Sequence, residues 1–174
     1  MAMITYREMS SAELPSRAPE IDVSEHGDVV YCWQDGKLKA VPEAWDRPRW
    51  TAETWRQENW STVLSRASVR VWGAFDNSQL VGLIVYRPHL TADTAQLAAL
   101  FVSKDHRRQG IAARLTCEVS GQANRDGHAR LYVSATPSES AVNFYQRQGF
   151  VPTQDTNAEL YELEPEDIHM VKAL

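Results

Sequence analysis

Val102-Ser103-Lys104-Asp105-His106-Arg107-Arg108-Gln109-Gly110-Ile111-Ala112-Ala113 is the stretch whose reading decides the fold. Ahead of it lies Gln96-Leu97-Ala98-Ala99-Leu100-Phe101-Val102, an apolar run of strand length. Behind it Ile111, Leu115, Cys117, Val119 and Ala123 fall near helical spacing. The stretch therefore reads as a basic, glycine-containing turn from a buried strand into a helix. The first turn of a helix carries N–H groups without intrahelical acceptors and the positive end of the macrodipole. A glycine there lets a ligand approach the backbone closely. These properties point to a phosphate or pyrophosphate site, and Arg107 and Arg108 add charge that does not titrate. An ordinary surface turn with solvated arginines fits the same local residues.

Outward from this turn, the helix from about Gln109 to Arg125 stops at Asp126-Gly127. Arg130-Leu131-Tyr132-Val133-Ser134-Ala135 reads as a strand, and a strand–helix–strand crossover of this length predicts a parallel pair. Thr136-Pro137-Ser138 starts a further helix, with Pro early in it, and Gly149 ends it. Phe150-Val151-Pro152 opens a short strand, and Asp167 to Leu174 alternates like a last one. Upstream, Val69–Phe75 and Gln79–Tyr86 form a hairpin, so a three-stranded meander delivers the chain to the basic turn. Ile4–Met9 looks like a first strand, and Pro15 and Pro19 limit any helix after Ser10 and Ser11 to a turn or two. Val29–Trp33 and Lys37–Val41 form a second hairpin around Asp35-Gly36, with Pro42 ending it. Thr51 caps a helix through about Arg66 with Trp55, Trp60, Val63 and Leu64 on its apolar side. With no repeat or linker, the pattern is one mixed α/β domain over residues 1–174.

The chain has 174 residues, 43% of them hydrophobic, enough for one sizeable core. Its net charge of -5 argues against a nucleic-acid or anionic-membrane partner. Cys32 and Cys117 are far apart and without metal-ligand spacing, so they read as reduced, semi-buried residues, with Cys117 in the core and no metal site. No apolar run approaches the roughly 20 residues of a membrane span, and the N-terminus has no signal-peptide pattern, so the expected location is the cytoplasm. Trp33, Trp45, Trp50, Trp55 and Trp60 fall within 28 positions. Core is their default place, with an aromatic pocket or a homodimer surface as alternatives. Glu20, Asp22, Glu25 and Asp28 read as a solvated loop, or as a surface that attracts a cationic substrate.

Two motifs carry a family resemblance. Arg107-Arg108-Gln109-Gly110-Ile111-Ala112 resembles the Arg/Gln-x-x-Gly-x-Gly/Ala signature of the GNAT (GCN5-related) N-acetyltransferases. Ala141-Val142-Asn143-Phe144-Tyr145-Gln146-Arg147-Gln148-Gly149-Phe150 resembles that family's helix ending in Phe-Tyr, then Gly-Phe. The match covers roughly residues 69–153, an acetyl-CoA-binding core. Residues 1–68 would be a variable acceptor-side region and 154–174 a C-terminal strand region.

The resemblance implies a mixed, mostly antiparallel sheet flanked by helices and splayed between the strand ending at Val102 and the strand Arg130–Ala135. Acetyl-CoA would lie in that gap. Its pyrophosphate would meet the backbone from Arg107 and Arg108 through Gln109, Gly110, Ile111, Ala112 and Ala113, and its pantetheine the edge of Leu100, Phe101 and Val102. Ser138 and Asn143 are further candidate contacts. Tyr145 maps to the family's tyrosine that protonates the leaving thiolate. The implied activity is direct acetyl transfer to a primary amine of a small molecule, such as an antibiotic or a cationic metabolite. A protein N-terminus or lysine, and a non-catalytic acyl-CoA-binding module, are the alternatives. Gln96 stands where many members carry a basic Glu, and an amide cannot take a proton at neutral pH. The base is thus unassigned, with His89, Asp93, Glu25, Tyr86 or a water relay as candidates.

Overall fold

The computed structural model describes residues 3–58 and 60–174, with Trp60 and Ser61 described by their backbone alone. The chain runs β1 (Ile4–Met9), α1 (Leu14–Arg17), β2 (Glu25–Gln34), β3 (Lys37–Arg47), α2 (Ala52–Gln57), α3 (Trp60–Val63), β4 (Arg70–Asp76), β5 (Gln79–Arg87) and β6 (Thr94–Val102). It continues through α4 (Ile111–Arg125), β7 (Arg130–Ala135), α5 (Glu139–Arg147), β8 (Val151–Pro152), α6 (Ala158–Leu163) and β9 (Ile168–Ala173). Seven strands form one sheet in the order β1-β4-β5-β6-β7-β9-β8, and β2 and β3 form a separate hairpin. Every pairing is antiparallel except β6 with β7. The mixed, mostly antiparallel sheet expected from the sequence is therefore present.

Apolar residues bury both faces of this sheet. One face packs on α4 and α5 through Tyr86, Leu97, Ile111, Leu115, Val119, Leu131 and Tyr145. The other packs on α1 and α2 through Leu14, Trp55, Leu83, Val85 and Ala99. The central strand β5 is covered on both sides, which explains its unbroken apolar run Leu80 to Tyr86.

The feature that shapes the molecule is the β6–β7 junction. The two strands pair in parallel only at Thr94–Arg130, Ala95–Leu131 and Gln96–Tyr132. Beyond Gln96, β6 has no partner on that side. The register of β6 on β5 shifts at the same level, from Tyr86–Leu97 to Val85–Ala99, leaving Ala98 as the extra residue of a bulge. A bulge bends its strand and increases its twist. Here it turns the rest of β6 away from β7 and opens the splay.

Several local expectations need correction. β3 runs through Pro42 to Arg47 instead of ending at the proline. It is the edge of a two-stranded hairpin, where a missing N–H is tolerated. The helix read over 51–66 is two short helices. Thr51 does cap the first, accepting a hydrogen bond from the Thr54 N–H (3.2 Å), but Glu58 is extended and breaks it. The part assigned to the Trp60 side chain lies outside the described residues. Pro137 precedes the cap residue Ser138 rather than standing inside α5, and α4 starts at Ile111 rather than Gln109. Cys117 is exposed, because it lies two residues, about 200° of helix, from the buried stride Ile111, Leu115, Val119 and Ala123. α6 carried no strong sequence signal beyond its cap, Asn157, which accepts from the Leu160 N–H.

The tryptophans also divide differently from a single shared pocket. Trp50, Trp55 and Phe101 stack edge to face with centroids 4.9–5.4 Å apart, joining α2 to the splayed half of β6. Trp45 covers Gly27 within the hairpin and donates its indole N–H to the Val29 carbonyl (3.3 Å), whereas Trp33 rests against the α4–α5 core. Trp55 is 1% exposed. Trp55→Ala should destabilise the fold by about 3–5 kcal/mol in urea unfolding, the usual cost of emptying a buried indole site.

Candidate active site

The splay opens into a cleft of about 780 Å³. Its floor is the freed length of β6 from Leu97 to Val102, and one wall is β7 and α5. The freed edge leaves backbone polar groups without a strand partner, a template for a linear ligand that carries amides. Leu100, Phe101 and Val102, which the resemblance sets against a pantetheine arm, all line it.

The basic turn forms the adjoining end. Arg108 (φ 58°) and Gly110 (φ 82°) both take the left-handed conformation, and Gly110 caps α4. The first intrahelical bond of α4 runs from the Arg114 N–H to the Gly110 carbonyl (3.0 Å), so the N–H groups of Ile111, Ala112 and Ala113 precede any intrahelical acceptor. Left-handed residues interleaved with right-handed ones turn successive N–H groups into an anion-binding concavity. A Cβ built on Gly110 would meet no atom within 4 Å, so the space in front of it is open to a ligand. Arg108 is exposed and forms no ion pair among the described residues. These observations fit a diphosphate, and with the free β6 edge they fit acetyl-CoA.

Arg107 plays a different part from its neighbour. It donates to the Val102 carbonyl (3.1 Å) and the Ser24 carbonyl (3.1 Å) and lies 3.7 Å from Glu25, so it fastens β2 to the end of β6. Gln109 is exposed and donates to the Asp105 carbonyl (3.2 Å), which shapes the turn. His106 sits 3.2 Å from Asp76 at the cleft rim. Ser138 lines the cleft but caps α5, accepting from the Ala141 N–H (3.3 Å). Asn143 is turned away: it accepts the Tyr31 hydroxyl (2.8 Å) and is not part of the cleft wall. It anchors β2 to α5, together with the bond from the Tyr31 N–H to the Pro137 carbonyl (2.7 Å).

Tyr145 reaches the cleft from α5, 7% exposed and packed edge to face between Phe144 and Phe150. Burial, with the nearby Asp167 carboxyl adding to it, raises its pKa, so the hydroxyl stays neutral at physiological pH. Gln96 is buried beneath the cleft and accepts from Arg87 (3.3 Å), which also binds Glu159 through two hydrogen bonds (3.0 and 3.1 Å). The position that often carries a basic Glu is thus a neutral, satisfied amide.

The four side chains raised as alternative bases are engaged in the fold. Tyr86 donates to Asp126 (2.7 Å) and Asp93 is held by Arg130, Thr91 and Thr94. His89 stacks on the buried His128 with centroids 4.8 Å apart. Glu25 lines the cleft but is paired with Arg47 at 2.8 Å. In the acidic segment around it Glu20 is paired with Arg17 (2.7 Å) and Asp22 lies 3.7 Å from Arg49, while Asp28 is exposed with no ion pair among the described residues, so most of its charge is compensated within the fold.

Three other carboxylates take that place in the cleft wall: Glu58 after α2, Glu164 after α6, and Asp167 before β9. None forms an ion pair among the described residues. Burial and the Glu164 charge raise the Glu58 pKa, with Arg47 opposing. Burial and then Glu164 push Asp167 up to about 7. The Ser134 hydroxyl beside it acts weakly in the opposite sense, since it makes no well-shaped hydrogen bond. The sequence reading passed over these three because acidic residues at loop ends ordinarily face water. Only the folded chain brings 58, 164 and 167 to one cavity.

Comparisons with known proteins agree with this geometry. Residues 32–173 match the family model described as acetyltransferase (GNAT) domain. The chain belongs to that family, whose chemistry is acetyl-CoA-dependent N-acetyl transfer. N-acetyltransferase 8 of Homo sapiens is 35% identical over 97 residues, which cover 53% of this chain and 43% of the relative, so the match spans less than half of that protein. Among solved structures, nourseothricin acetyltransferase superposes with a TM-score of 0.72 at 18% identity, covering 99% of each chain. A protein from Bacillus anthracis str. Ames assigned as a streptothricin acetyltransferase, solved with acetyl coenzyme A, superposes with a TM-score of 0.73 at 17% identity and the same coverage. At these identities the two structures establish the fold. Among the described residues no helix is long and apolar enough to cross a membrane.

The raised Asp167 pKa has a stability consequence. Between its ordinary value of 3.8 and about 7, the folded protein keeps a proton that the unfolded chain has released, so stability falls as pH rises through that window. Asp167→Asn has no charge to bury. Its stability relative to the parent should grow from pH 4 to pH 8 by on the order of 2–4 kcal/mol in urea unfolding. A pH-independent difference would contradict a buried carboxylate.

Proposed function

We propose that this protein transfers acetyl from acetyl-CoA directly to the primary amine of a small, cationic molecule, an antibiotic or a metabolite. The observation that carries this reading is the parting of β6 and β7 after three residue pairs. It creates one cleft that joins an anion-binding turn, a free strand edge and a wall of carboxylates without ion-pair partners. The first two features suit the donor. The last suits an ammonium acceptor, because uncompensated negative charge in a shielded cleft attracts and orients a cation. The two solved structures named above carry antibiotic acetyltransferases on the same fold, which is consistent with an acceptor of that size.

When bound, acetyl-CoA supplies an activated acyl group as its thioester. In this reading the amides of Arg108 through Ala113 hold the diphosphate, and the edge from Leu100 to Val102 aligns the linear arm. The Tyr145 hydroxyl faces the leaving sulfur. A thiol is a stronger acid than a phenol, and burial weakens the phenol further. Tyr145 therefore stabilises the developing thiolate by donating a hydrogen bond, and passes on a proton only as it receives one.

Acetyl-CoA binding measured by calorimetry, and CoA thiol release across a panel of amines including streptothricin-type antibiotics, polyamines and a peptide N-terminus, test the assignment. Gly110→Val should weaken acetyl-CoA binding at least tenfold, because a branched side chain strains the left-handed backbone and enters the open space before the amides. Unchanged affinity would remove the diphosphate from this turn. Tyr145→Phe should lower kcat by about 10- to 100-fold while leaving acetyl-CoA affinity within about threefold. An unchanged kcat would take Tyr145 out of the reaction.

A further inference from the structure

An amine attacks only as the neutral base, and the acceptor arrives as R–NH3+ at neutral pH. The residue at position 96 is an amide bound to Arg87, so the proton must go elsewhere. One carboxyl in the cleft wall, Asp167, acts electrostatically on the Tyr145 hydroxyl from the same, β7 side of the splay. Ile168 and Met170 point into the α4–α5 core, so strand alternation puts His169 on the opposite face of the sheet, and Asp167 sits in the bend that leads into β9 beside Ser134. The Tyr161–His169 ring contact (centroids 5.8 Å apart) shows that α6 covers that face. Tyr145 comes from α5 on the first face. Tyr145 and Asp167 line the same cleft, and the Asp167 charge is felt at the Tyr145 hydroxyl.

The Ser134 hydroxyl is buried in this wall beside the Asp167 carboxyl, the polar group its weak hydrogen bond is aimed at, without a well-shaped bond to any described residue. A hydroxyl shared loosely with a carboxyl leaves that carboxyl room to take up a second polar group from the cleft.

The segment that carries Asp167 is also held in place. The Asn157 N–H donates to the Tyr132 hydroxyl oxygen (3.0 Å), which lies 2.7 Å from His169 Nδ1. With Tyr132 donating to Nδ1, His169 Nε2–H donates to the Glu164 carbonyl (3.2 Å). Burial lowers the His169 pKa, which favours this neutral tautomer. The Asp167 N–H then donates to the same Glu164 carbonyl (3.2 Å).

We propose that Asp167 is the catalytic residue that takes the proton from the acceptor ammonium, with Tyr132 and His169 as positioning residues for it. The inference rests on the N-acetyltransferase reading above. One N–H proton of R–NH3+ moves to an Asp167 oxygen. The freed nitrogen lone pair forms the C–N bond at the acetyl carbonyl carbon. The C–S bond breaks with its electron pair on sulfur, the nitrogen gives up a second proton, and the sulfur gains one through Tyr145. Amide and free thiol result, and the proton on Asp167 returns to solvent.

The groups facing Asp167 are Glu164 from the α6–β9 connection, Ser134 from β7 and Tyr145 from α5, and Glu164 and Arg47 act in turn on Glu58. Burial and the Glu164 charge hold its pKa near 7, where a carboxylate is basic enough to compete for an ammonium proton and is still largely ionised slightly above neutrality.

The test compares the parent chain with Asp167→Asn, Asp167→Glu and His169→Phe on the best amine of the panel. Asp167→Asn should lower kcat/KM by about 100- to 1,000-fold, with acetyl-CoA affinity within threefold and a folded state more stable at pH 8 than the parent. The parent's rising limb near pH 7 in kcat/KM should vanish in this variant. Asp167→Glu should recover part of the rate, and His169→Phe should lower kcat without weakening acetyl-CoA binding. Loss of acetyl-CoA binding together with rate in Asp167→Asn, or a kcat/KM within threefold of the parent with the limb intact, overturns the inference alone. A parent that binds acetyl-CoA but releases no CoA with any amine overturns the N-acetyltransferase reading, and the inference falls with it.

Discussion

Everything that makes this fold a binding protein depends on two parallel strands that stop pairing after three residues. A parallel ladder continued to Val102 would satisfy every backbone group of β6 and leave no cavity. The bulge at Ala98 prevents that by bending β6 at the level where its last pair with β7 is made. The cost is an edge with unsatisfied backbone groups inside the molecule. Native folds keep such an edge where a ligand can complete it. The aromatic trio Trp50, Trp55 and Phe101 braces the bent half of β6 from the α2 side, and Arg107 ties its end to β2. The opening is therefore a supported one.

The cleft is electrically divided. At the basic turn it offers main-chain N–H groups and the exposed Arg108, while Arg107 and Arg47 are absorbed by Glu25. On the wall formed after α2 and before β9 it offers Glu58, Glu164 and Asp167. An anionic donor and a cationic acceptor would be drawn to different parts of the same space. Burial, and then the Glu164 charge, raise the proton affinity of Asp167 and Glu58, so in the proposed reaction the wall that attracts an ammonium would also hold a group ready to accept its proton.

Much of this was legible in the residues. The order of strands and helices from Val69 to Pro152, the parallel crossover and the Asp35-Gly36 turn all follow from local chemistry, because turn preferences act over two to four residues. The reading failed where a residue's environment is set by distant chain. Asn143 matched a motif, but Tyr31, 112 positions away, holds its side chain. Cys117 was counted with the apolar stride, yet its angular position exposes it. Pro42 signals a stop in a central strand, and an edge hairpin removes that signal.

By itself the sequence laid out the elements of the proposed donor half: a strand, a basic turn with glycine at a helix start, and the Phe144-Tyr145 helix, all within 46 consecutive residues from Leu100 to Tyr145. Each element is specified by neighbours close in the chain, so its chemistry can be read without the fold. The proposed acceptor half depends on tertiary structure alone. Glu58, Ser134, Glu164 and Asp167 come from four separate parts of the chain, and their shared cavity and the raised proton affinities of Asp167 and Glu58 arise from burial and the Glu164 charge. Those are properties of assembled space, and no local pattern in the chain encodes them.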